Sequence, residues 1–181
     1  MKTRFPLGSL AVALSAMLLA SCASASSAAP ATTTGDETFV AFASTFADFR
    51  KWESFHSDGP AAGTMPDDVL GPRTQYLNAR PPKGSTSFPV GTIMVEARET
   101  APLSLFAAVK RGGGFNPGAP GWEWFELSEA ADGSVTILWR GAAPPTGESY
   151  GGDPTGGCNG CHTSCASNDF ACSPKLQLSQ L

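Results

Sequence analysis

Two short runs late in the chain, WEWFEL at residues 122–127 and VTILWR at residues 135–140, decide the fold class. Both are rich in β-branched and aromatic residues, as strands are, and the loop between them contains a turn-forming Asp-Gly pair. The two runs are therefore predicted to form an antiparallel hairpin. Alternation along the first run places Trp122 and Trp124 on one face of the sheet and Phe125 on the other.

Three more strand-like runs precede this hairpin, at residues 73–78, 92–98 and 105–110, with Gly/Pro-rich breaks between them. Further upstream, aromatic residues recur at steps of three and four, which predicts a helix that begins after Asp36 and ends near residues 56–60. Such a stripe is more often plain core than a cofactor wall. One helix followed by a strand meander predicts an α+β domain with a mostly antiparallel sheet. The aromatic stripe consists of Phe39, Phe42, Phe46, Phe49 and Trp52.

The beginning of the chain is predicted to be an export signal rather than part of the fold. Basic Lys2 and Arg4 precede an apolar, Ala-rich run that is too short for a good membrane span. The residues LASC at 19–22 match the bacterial lipobox, in which the cysteine becomes lipidated. We therefore expect a lipoprotein signal peptide at residues 1–21 and lipidation of Cys22. The alternative is ordinary cleavage nearby, which leaves this cysteine as an accidental thiol.

Residues 22–35 are mostly Ala, Ser, Thr and Pro and are predicted to be a flexible linker, followed by one domain at residues 36–181. The net charge is −4, and it falls to −6 when the two basic residues of the signal are removed. No Lys/Arg cluster stands out, which argues against nucleic acid as a partner. We expect an exported bacterial lipoprotein, anchored to the outer membrane through its lipid and facing the periplasm or the cell surface.

The residues CNGCH at 158–162 form the attachment sequence of c-type haem. Two thiols with two residues between them reach the two vinyl groups of a haem and form thioethers, and the next residue then lies under the iron. Cys158 and Cys161 are therefore predicted to bind one covalent haem c, with His162 as the proximal iron ligand. The predicted export is consistent with this, because attachment of such a haem requires it.

Other uses of these cysteines stay open at this point. The pair in the motif is also the pattern of a redox dithiol, and together with the remaining cysteines it offers ligands for zinc or partners for a disulfide-stapled tail. Cys165 and Cys172 suit no common zinc spacing, and oxidising surroundings and a short loop make a disulfide between them the simplest assignment. The five cysteines are then used as one lipid anchor, two thioethers and one bridge.

From about residue 46 to the C-terminus, the chain resembles the cytochrome P-460 family, which includes the cytochrome c′-beta group. The resemblance implies a mostly antiparallel sheet, often in a dimer, that holds a pentacoordinate haem. Enzymatic members oxidise hydroxylamine or related nitrogen oxides, and the c′-beta relatives bind gases such as nitric oxide. The matching stretches are, in order, RTQYLN at 73–78, FPVGTIMV at 88–95, WEWF at 122–125, CNGCH at 158–162 and NDF at 168–170.

One position departs from the enzymatic members of that family, whose corresponding strand carries a lysine that becomes cross-linked to the haem ring. Glu96 stands at the matching position here. A carboxylate cannot form the nitrogen–carbon bond of that cross-link, which counts against hydroxylamine oxidation of the cross-linked kind. Lys83 and Lys110 do not stand at the matching position.

Several residues are candidates for roles around the iron. By resemblance, Arg73 reaches the haem pocket, and Asp153 stands about where some family enzymes place a distal carboxylate that passes protons to a ligand. The alternatives are an exposed strand charge and an Asp-Pro turn former. His56, Met65 and Met94 are candidates for a sixth iron ligand, although such residues are more often surface groups or core filler.

The sequence thus predicts an exported c-type haem protein that binds a small diatomic or nitrogenous ligand or takes part in redox chemistry. An oxidoreductase acting on small nitrogen compounds and a simple electron-transfer cytochrome with its own electron partner are the alternatives. A haem-free, disulfide-stabilised lipoprotein is a further one. We expect a haem that lacks the lysine cross-link, is pentacoordinate in the ferrous state, and binds nitric oxide or carbon monoxide.

Overall fold

Six antiparallel strands form a meander in which each strand is hydrogen-bonded to the next one along the chain. The structure, a computed structural model, describes residues 37–58, 71–99, 105–143 and 157–181. All of these residues belong to one compact unit, Thr33–Leu181. The strands are β1 (Glu53–Ser57), β2 (Arg73–Leu77), β3 (Ile93–Arg98), β4 (Leu105–Lys110), β5 (Trp122–Glu129) and β6 (Val135–Gly141).

The strands β2 to β6 confirm the predicted strand runs. The predicted hairpin is formed by β5 and β6, with Phe125 opposite Arg140 and a register shift between Glu126 and Leu127. The turn contains Gly133 in left-handed backbone, with φ 81°, which glycine adopts without steric cost. The predicted antiparallel, mostly β architecture is therefore correct.

The helix predicted after Asp36 is wrong. This part of the chain forms two short 3₁₀ helices, Ala43–Phe46 and Phe49–Lys51, and then continues into β1, which the sequence analysis missed. Between the two turns, Asp48 takes left-handed backbone, with φ 59°, and a regular helix cannot continue through that conformation. The domain is therefore mostly β rather than α+β.

The aromatic periodicity that predicted the helix is not produced by a helix, although Phe39, Phe46, Phe49 and Trp52 all pack against one core cluster. Phe46 and Phe49 are buried, whereas Phe42 is 63% exposed. The chain before them runs extended, and Thr38 makes an isolated antiparallel bridge to Gly112 instead of starting a helix. Steps of three and four residues thus arise here from two tight turns that each bury one phenylalanine.

One side of the sheet, which we call the N-terminal face, is packed against these two turns. Phe46 meets Phe125 edge-on with 5.2 Å between ring centroids, and Phe49 meets Tyr76 at 5.1 Å. Edge-to-face pairs of this kind stabilise a core beyond simple burial. The buried cluster comprises Ala41, Phe46, Phe49, Tyr76, Ile93, Val95, Ala97, Leu105, Ala107, Val109, Phe125 and Leu127.

The opposite side, which we call the cavity face, is packed against the C-terminal segment, residues 157–181. That segment begins with a short helix, α1 (Gly157–His162), continues as a 3₁₀ helix (Thr163–Asn168), and then runs irregularly to the C-terminus. Trp122 and Trp124 lie on this face, as the alternation predicted, and Phe125 belongs to the other cluster. The cavity-face core comprises Leu77, Phe88, Met94, Ala119, Trp122, Trp124, Ala171 and Leu176.

Some predictions concern residues beyond those that the structure describes. They are the signal peptide at 1–21, the linker at 22–35 with the lipidated Cys22, and the candidate residues Asp153 and Met65. In the part of the chain that is described, no helix combines the length and apolar character needed to cross a bilayer.

Candidate functional site

The short helix α1 carries the CNGCH motif, and Asn159 ties it to the sheet. The Asn159 Oδ1 atom accepts hydrogen bonds from Trp124 Nε1 at 2.8 Å and from Asn116 Nδ2 at 3.0 Å. Its amide nitrogen donates to Asn116 Oδ1 at 2.7 Å. A Cβ atom at Gly118 would lie 2.6 Å from that nitrogen, so a larger residue there would displace the Asn159 amide. Asn159, one of the two residues between the cysteines, therefore fixes the motif against β5.

His162 is held in an orientation that suits a metal ligand. Its Nδ1 atom lies 2.6 Å from the Phe170 carbonyl oxygen, and its ring lies 4.2 Å from the Trp124 ring, centroid to centroid. Because a carbonyl oxygen only accepts, Nδ1 carries the proton and Nε2 keeps its lone pair. Burial lowers the pKa of His162, and the bond to Phe170 opposes this in part. A neutral imidazole with its second nitrogen fixed in this way is the usual form of a histidine ligand.

The Phe170 carbonyl is itself held in place by a buried ion pair. Asp169 and Phe170 both take left-handed backbone, with φ 49° and 65°, which is unfavourable for residues other than glycine. Lys110 Nζ lies 2.8 Å from both carboxylate oxygens of Asp169, and the Phe88 amide donates to the same carboxylate at 2.8 Å. Trp122 Nε1 donates to the Asp169 carbonyl at 2.7 Å. These contacts hold the turn that orients His162.

Cys158 and Cys161 are partly buried, are not joined by a disulfide, and both line the cavity described below. Burial raises the pKa of the Cys158 thiol to about 12, and the neighbouring Cys161 adds to the effect. Reactive redox cysteines have a lowered pKa, because the thiolate is the nucleophile. The environment of Cys158 therefore disfavours the redox-dithiol alternative.

Cys165 and Cys172 are joined by a disulfide with 5.3 Å between their Cα atoms, the pairing that the sequence predicted. The bridge closes the segment that follows α1, and it removes two thiolates from any zinc site. Within the described ranges, no three His, Cys, Asp or Glu side chains are grouped to hold a metal ion. Iron in a haem needs far less from the protein, since the porphyrin supplies the other four ligands.

A cavity lies between the cavity face and the C-terminal segment. Its empty volume is about 1200 Å³, open solvent at its mouth included. Small-molecule and cofactor sites are usually concave, largely apolar, and lined by a few placed polar groups. Aromatic and apolar side chains dominate here, and the polar residues gather on β2 and β3. The lining includes Met94, Phe106, Trp124, Trp139, Cys158, Cys161, His162 and Phe170, with Arg73, Gln75, Glu96 and Arg98 as the polar group.

The polar part of the wall is a connected set of side chains. Glu96 Oε2 accepts from Gln75 Nε2 at 2.9 Å and lies 3.2 Å from Arg73 Nε. The Ser173 hydroxyl donates to Gln75 Oε1, which joins the C-terminal segment to the same set. Burial raises the pKa of Glu96, while Arg73 and Gln75 act in the opposite direction. No lysine is among the described residues that line the cavity.

The structure separates the remaining candidate residues. Arg73 is buried and lines the cavity, so it is not an exposed strand charge. Met94 also lines the cavity, which leaves the thioether alternative for a sixth ligand open. His56 does not line it: this exposed ring contacts Glu99 at 3.0 Å through Nδ1 and Asp58 at 2.9 Å through Nε2. Both ring nitrogens of His56 are therefore engaged away from the cavity.

Comparison with models of protein families, with curated proteins and with solved structures finds no match for this chain. The resemblance to the cytochrome P-460 family therefore rests on the quoted motifs.

Proposed function

We propose that this chain is an exported c-type haem protein, in which Cys158 and Cys161 attach one haem c and His162 binds its iron. One observation carries the proposal. Both cysteines and the histidine of the motif line the same cavity, and the contact with Phe170 leaves the Nε2 atom of His162 available to a metal. Neither a redox dithiol nor a disulfide-stapled tail explains why an imidazole is oriented in this way beside two partly buried thiols.

The cavity suits the group chemically. Aromatic walls such as Phe106, Trp124 and Trp139 match the apolar faces of a porphyrin, which favour burial. When bound, the haem would supply an iron that takes up small ligands or changes oxidation state. The protein's own part is to orient His162 through the Phe170 carbonyl, to raise the basicity of its imidazole by that hydrogen bond, and to limit access of water.

We further propose that the open side of the iron takes a small uncharged ligand such as nitric oxide or carbon monoxide. Entry of a charged ligand into apolar surroundings costs more, because its charge must be desolvated. Glu96 lies on the cavity wall at the position of the cross-linking lysine of the enzymes that the chain resembles. Hydroxylamine oxidation is therefore expected to be slow or absent.

Two other functions are each supported by a specific observation. An electron-transfer cytochrome is supported by Met94, a buried thioether on the cavity wall that suits a sixth ligand. An enzyme acting on small nitrogen compounds is supported by the motif resemblance and by Arg73 in the cavity. We also propose that a lipid on Cys22 anchors the protein to the outer membrane, that the protein forms a homodimer, as the resemblance implies, and that an electron partner serves any redox role.

The decisive experiment is a pyridine haemochrome assay after acid-acetone extraction of protein matured with a c-type haem system. We expect the wild-type protein to retain its haem. The Cys158→Ala/Cys161→Ala double variant should lose it, whereas the matched Cys165→Ala/Cys172→Ala double variant should keep it. A colourless wild-type protein after extraction contradicts the proposal.

The spectrum of the reduced protein then separates the functions. An ordinary five-coordinate ferrous c-type spectrum that changes with carbon monoxide supports the gas-binding protein. A six-coordinate low-spin spectrum that becomes five-coordinate in Met94→Ala supports electron transfer. A red-shifted spectrum with rapid hydroxylamine turnover supports the cross-linked enzyme.

A further inference from the structure

Two arginines form the end of the cavity that lies away from α1. Arg73 on β2 and Arg98 on β3 pair directly across the two strands, and both line the cavity. Arg98 stands four residues along β3 from Met94, which at about 3.3 Å per residue is about 13 Å. Met94 belongs to the cluster against which Cys158 packs. The cavity therefore runs along β3 from the cysteines at one end to the arginine pair at the other.

In the described structure, the two arginines have unused hydrogen-bond donors and more positive charge than the neighbouring carboxylate compensates. Arg73 is 4% exposed, and the buried Nε atoms of Arg73 and Arg98 both lack a hydrogen-bond partner in the described structure. Glu96 Oε2 lies 3.2 Å from Arg73 Nε, yet without hydrogen-bond alignment. Among the described residues, two guanidinium groups face one carboxylate here, which leaves a net positive charge. Burial of an uncompensated charge is costly, so this end of the cavity suits an anion.

We propose that Arg73 and Arg98 form a carboxylate subsite that takes the propionate groups of the haem, an inference that rests on the proposed function. The two propionates lie on the porphyrin edge opposite the two vinyl groups. A haem held through its vinyl edge by Cys158 and Cys161 therefore directs its propionates toward the far end of the cavity. Guanidinium groups match carboxylates in geometry and in charge, because their donors form a planar fork. One bound carboxylate brings the charge at this end to zero.

Among the residues that the structure describes, few charged groups surround the subsite. On β2 and β3 they are Arg73, Glu96 and Arg98, and from the C-terminal segment His162 lies at the opposite end of the cavity. Glu126 lies on the same face of β5, opposite Phe106 in the strand register. It is not among the residues that line the cavity. Glu96 is thus the carboxyl group that a test has to distinguish from a propionate.

The test uses haem labelled with ¹³C at its propionate carboxyl carbons, supplied to the cells through labelled aminolevulinic acid. Carbon NMR of the diamagnetic ferrous carbon-monoxide form then follows the propionates alone, and Glu96 is silent. In the wild-type protein at least one propionate should stay ionised from pH 5 to 8. In Arg98→Gln and Arg73→Gln its pKa should rise by about one pH unit or more.

Arg80→Gln is the matched control, because it removes the same charge from an exposed arginine that pairs with Glu53. It should leave both propionate titrations unchanged. If a glutamine variant does not mature, Arg73→Lys and Arg98→Lys keep the charge, lose the fork, and should give a smaller rise. Equal propionate titrations in the wild type and in the arginine variants overturn the inference.

A second arm separates the propionates from a free anion. Sodium nitrite titrated into ferric wild-type protein should cause no spectral change that depends on the arginines. A saturating change that Arg98→Gln abolishes would show that the subsite serves an external anion, which overturns the inference. Wild-type protein without covalent haem overturns the proposed function itself, and it is recognised in the haemochrome assay before any labelling.

Discussion

The two faces of this sheet are built by the same strands and are covered in different ways. On β3, Val95 packs in the aromatic core of the N-terminal face, and the next residue, Glu96, lies on the cavity wall beside Gln75 and Arg73. The N-terminal face is filled mainly by apolar side chains, some in edge-to-face contact, and its buried Glu123 is paired with Arg111 and Arg140. The cavity face holds two thiols, a partly buried imidazole, a buried ion pair and two arginines with unsatisfied Nε atoms.

This difference shows where stability and chemistry are located. A sequence that serves only folding would fill both faces with apolar residues, because buried polar groups are costly unless they are fully paired. Local departures from that rule are expected at functional sites. Among the described residues, the buried side-chain atoms that lack a hydrogen-bond partner, Arg73 Nε and Arg98 Nε, lie on the face that the C-terminal segment covers. We therefore expect changes on the N-terminal face to alter stability alone and changes on the cavity face to alter both stability and haem properties.

The largest loss of stability is expected for Phe46→Ala on the N-terminal face. Phe46 is fully buried, and its truncation leaves a cavity beside Phe125, which should cost about 3–5 kcal/mol of unfolding free energy. The matched control is Phe42→Ala, since Phe42 is 63% exposed and should tolerate the change. Urea unfolding measures both variants. A changed haem spectrum in folded Phe46→Ala would contradict the expectation that changes on the N-terminal face alter stability alone.

A somewhat smaller loss is expected for Lys110→Met on the cavity face. The side chains of Lys110 and Asp169 are both 11% exposed, and removing one partner of a buried pair typically costs about 3 kcal/mol. Because the pair holds the turn that orients His162, the iron–histidine vibration of the haem protein should shift as well, measured by resonance Raman spectroscopy.

The control for this variant is Lys51→Met, which removes a lysine from a pair with Asp48 whose side chains are 77% and 68% exposed. Exposed pairs contribute little to stability, so no measurable change is expected. A destabilised Lys110→Met with an unaltered iron–histidine vibration would show that the ion pair supports the fold without orienting the imidazole.

The features that the sequence predicted correctly are those that depend on residues close together in the chain. Strands β2 to β6 follow from local alternation and turn residues, and the CNGCH motif is contiguous. The first strand was missed because the aromatic steps before it imitate a helix, and the left-handed backbone of Asp48 that interrupts them leaves no mark in the composition.

The contacts around the motif depend on the completed fold. Lys110 and Asp169 are 59 residues apart in the chain, and the pairing of Arg73 with Arg98 is set by strand register. Asn159 was overlooked although it lies inside the motif, because its partners Trp124 and Asn116 come from β5 and the loop before it. Spacing identifies the cysteines and the histidine, but it cannot reveal what surrounds them.

The smallest expected effect comes from the two histidines of the chain, whose pKa values are shifted in opposite directions. Hydrogen bonds to Asp58 and then to Glu99 raise the pKa of the exposed His56, whereas burial lowers the pKa of His162. A raised pKa gives stability that is present below the unfolded value of about 6.5 and is lost as the pH rises through the folded value. A lowered pKa gives stability that is present above about 6.5 and is lost as the pH falls.

In protein prepared without haem, acidification from pH 7 to pH 5 should therefore reduce the unfolding free energy through His162. In this pH range the histidine becomes protonated in the unfolded chain, whereas its lowered pKa keeps it neutral in the folded protein. His162→Gln should flatten this decline, and His56→Gln should steepen it slightly, since it removes a contribution of opposite sign that solvent screens. Urea midpoints at several pH values measure both. Attachment of haem should flatten the decline as well if His162 becomes the iron ligand. An acid decline that His162→Gln leaves intact would place its origin elsewhere and would weaken the contrast between a buried cavity face and an exposed His56.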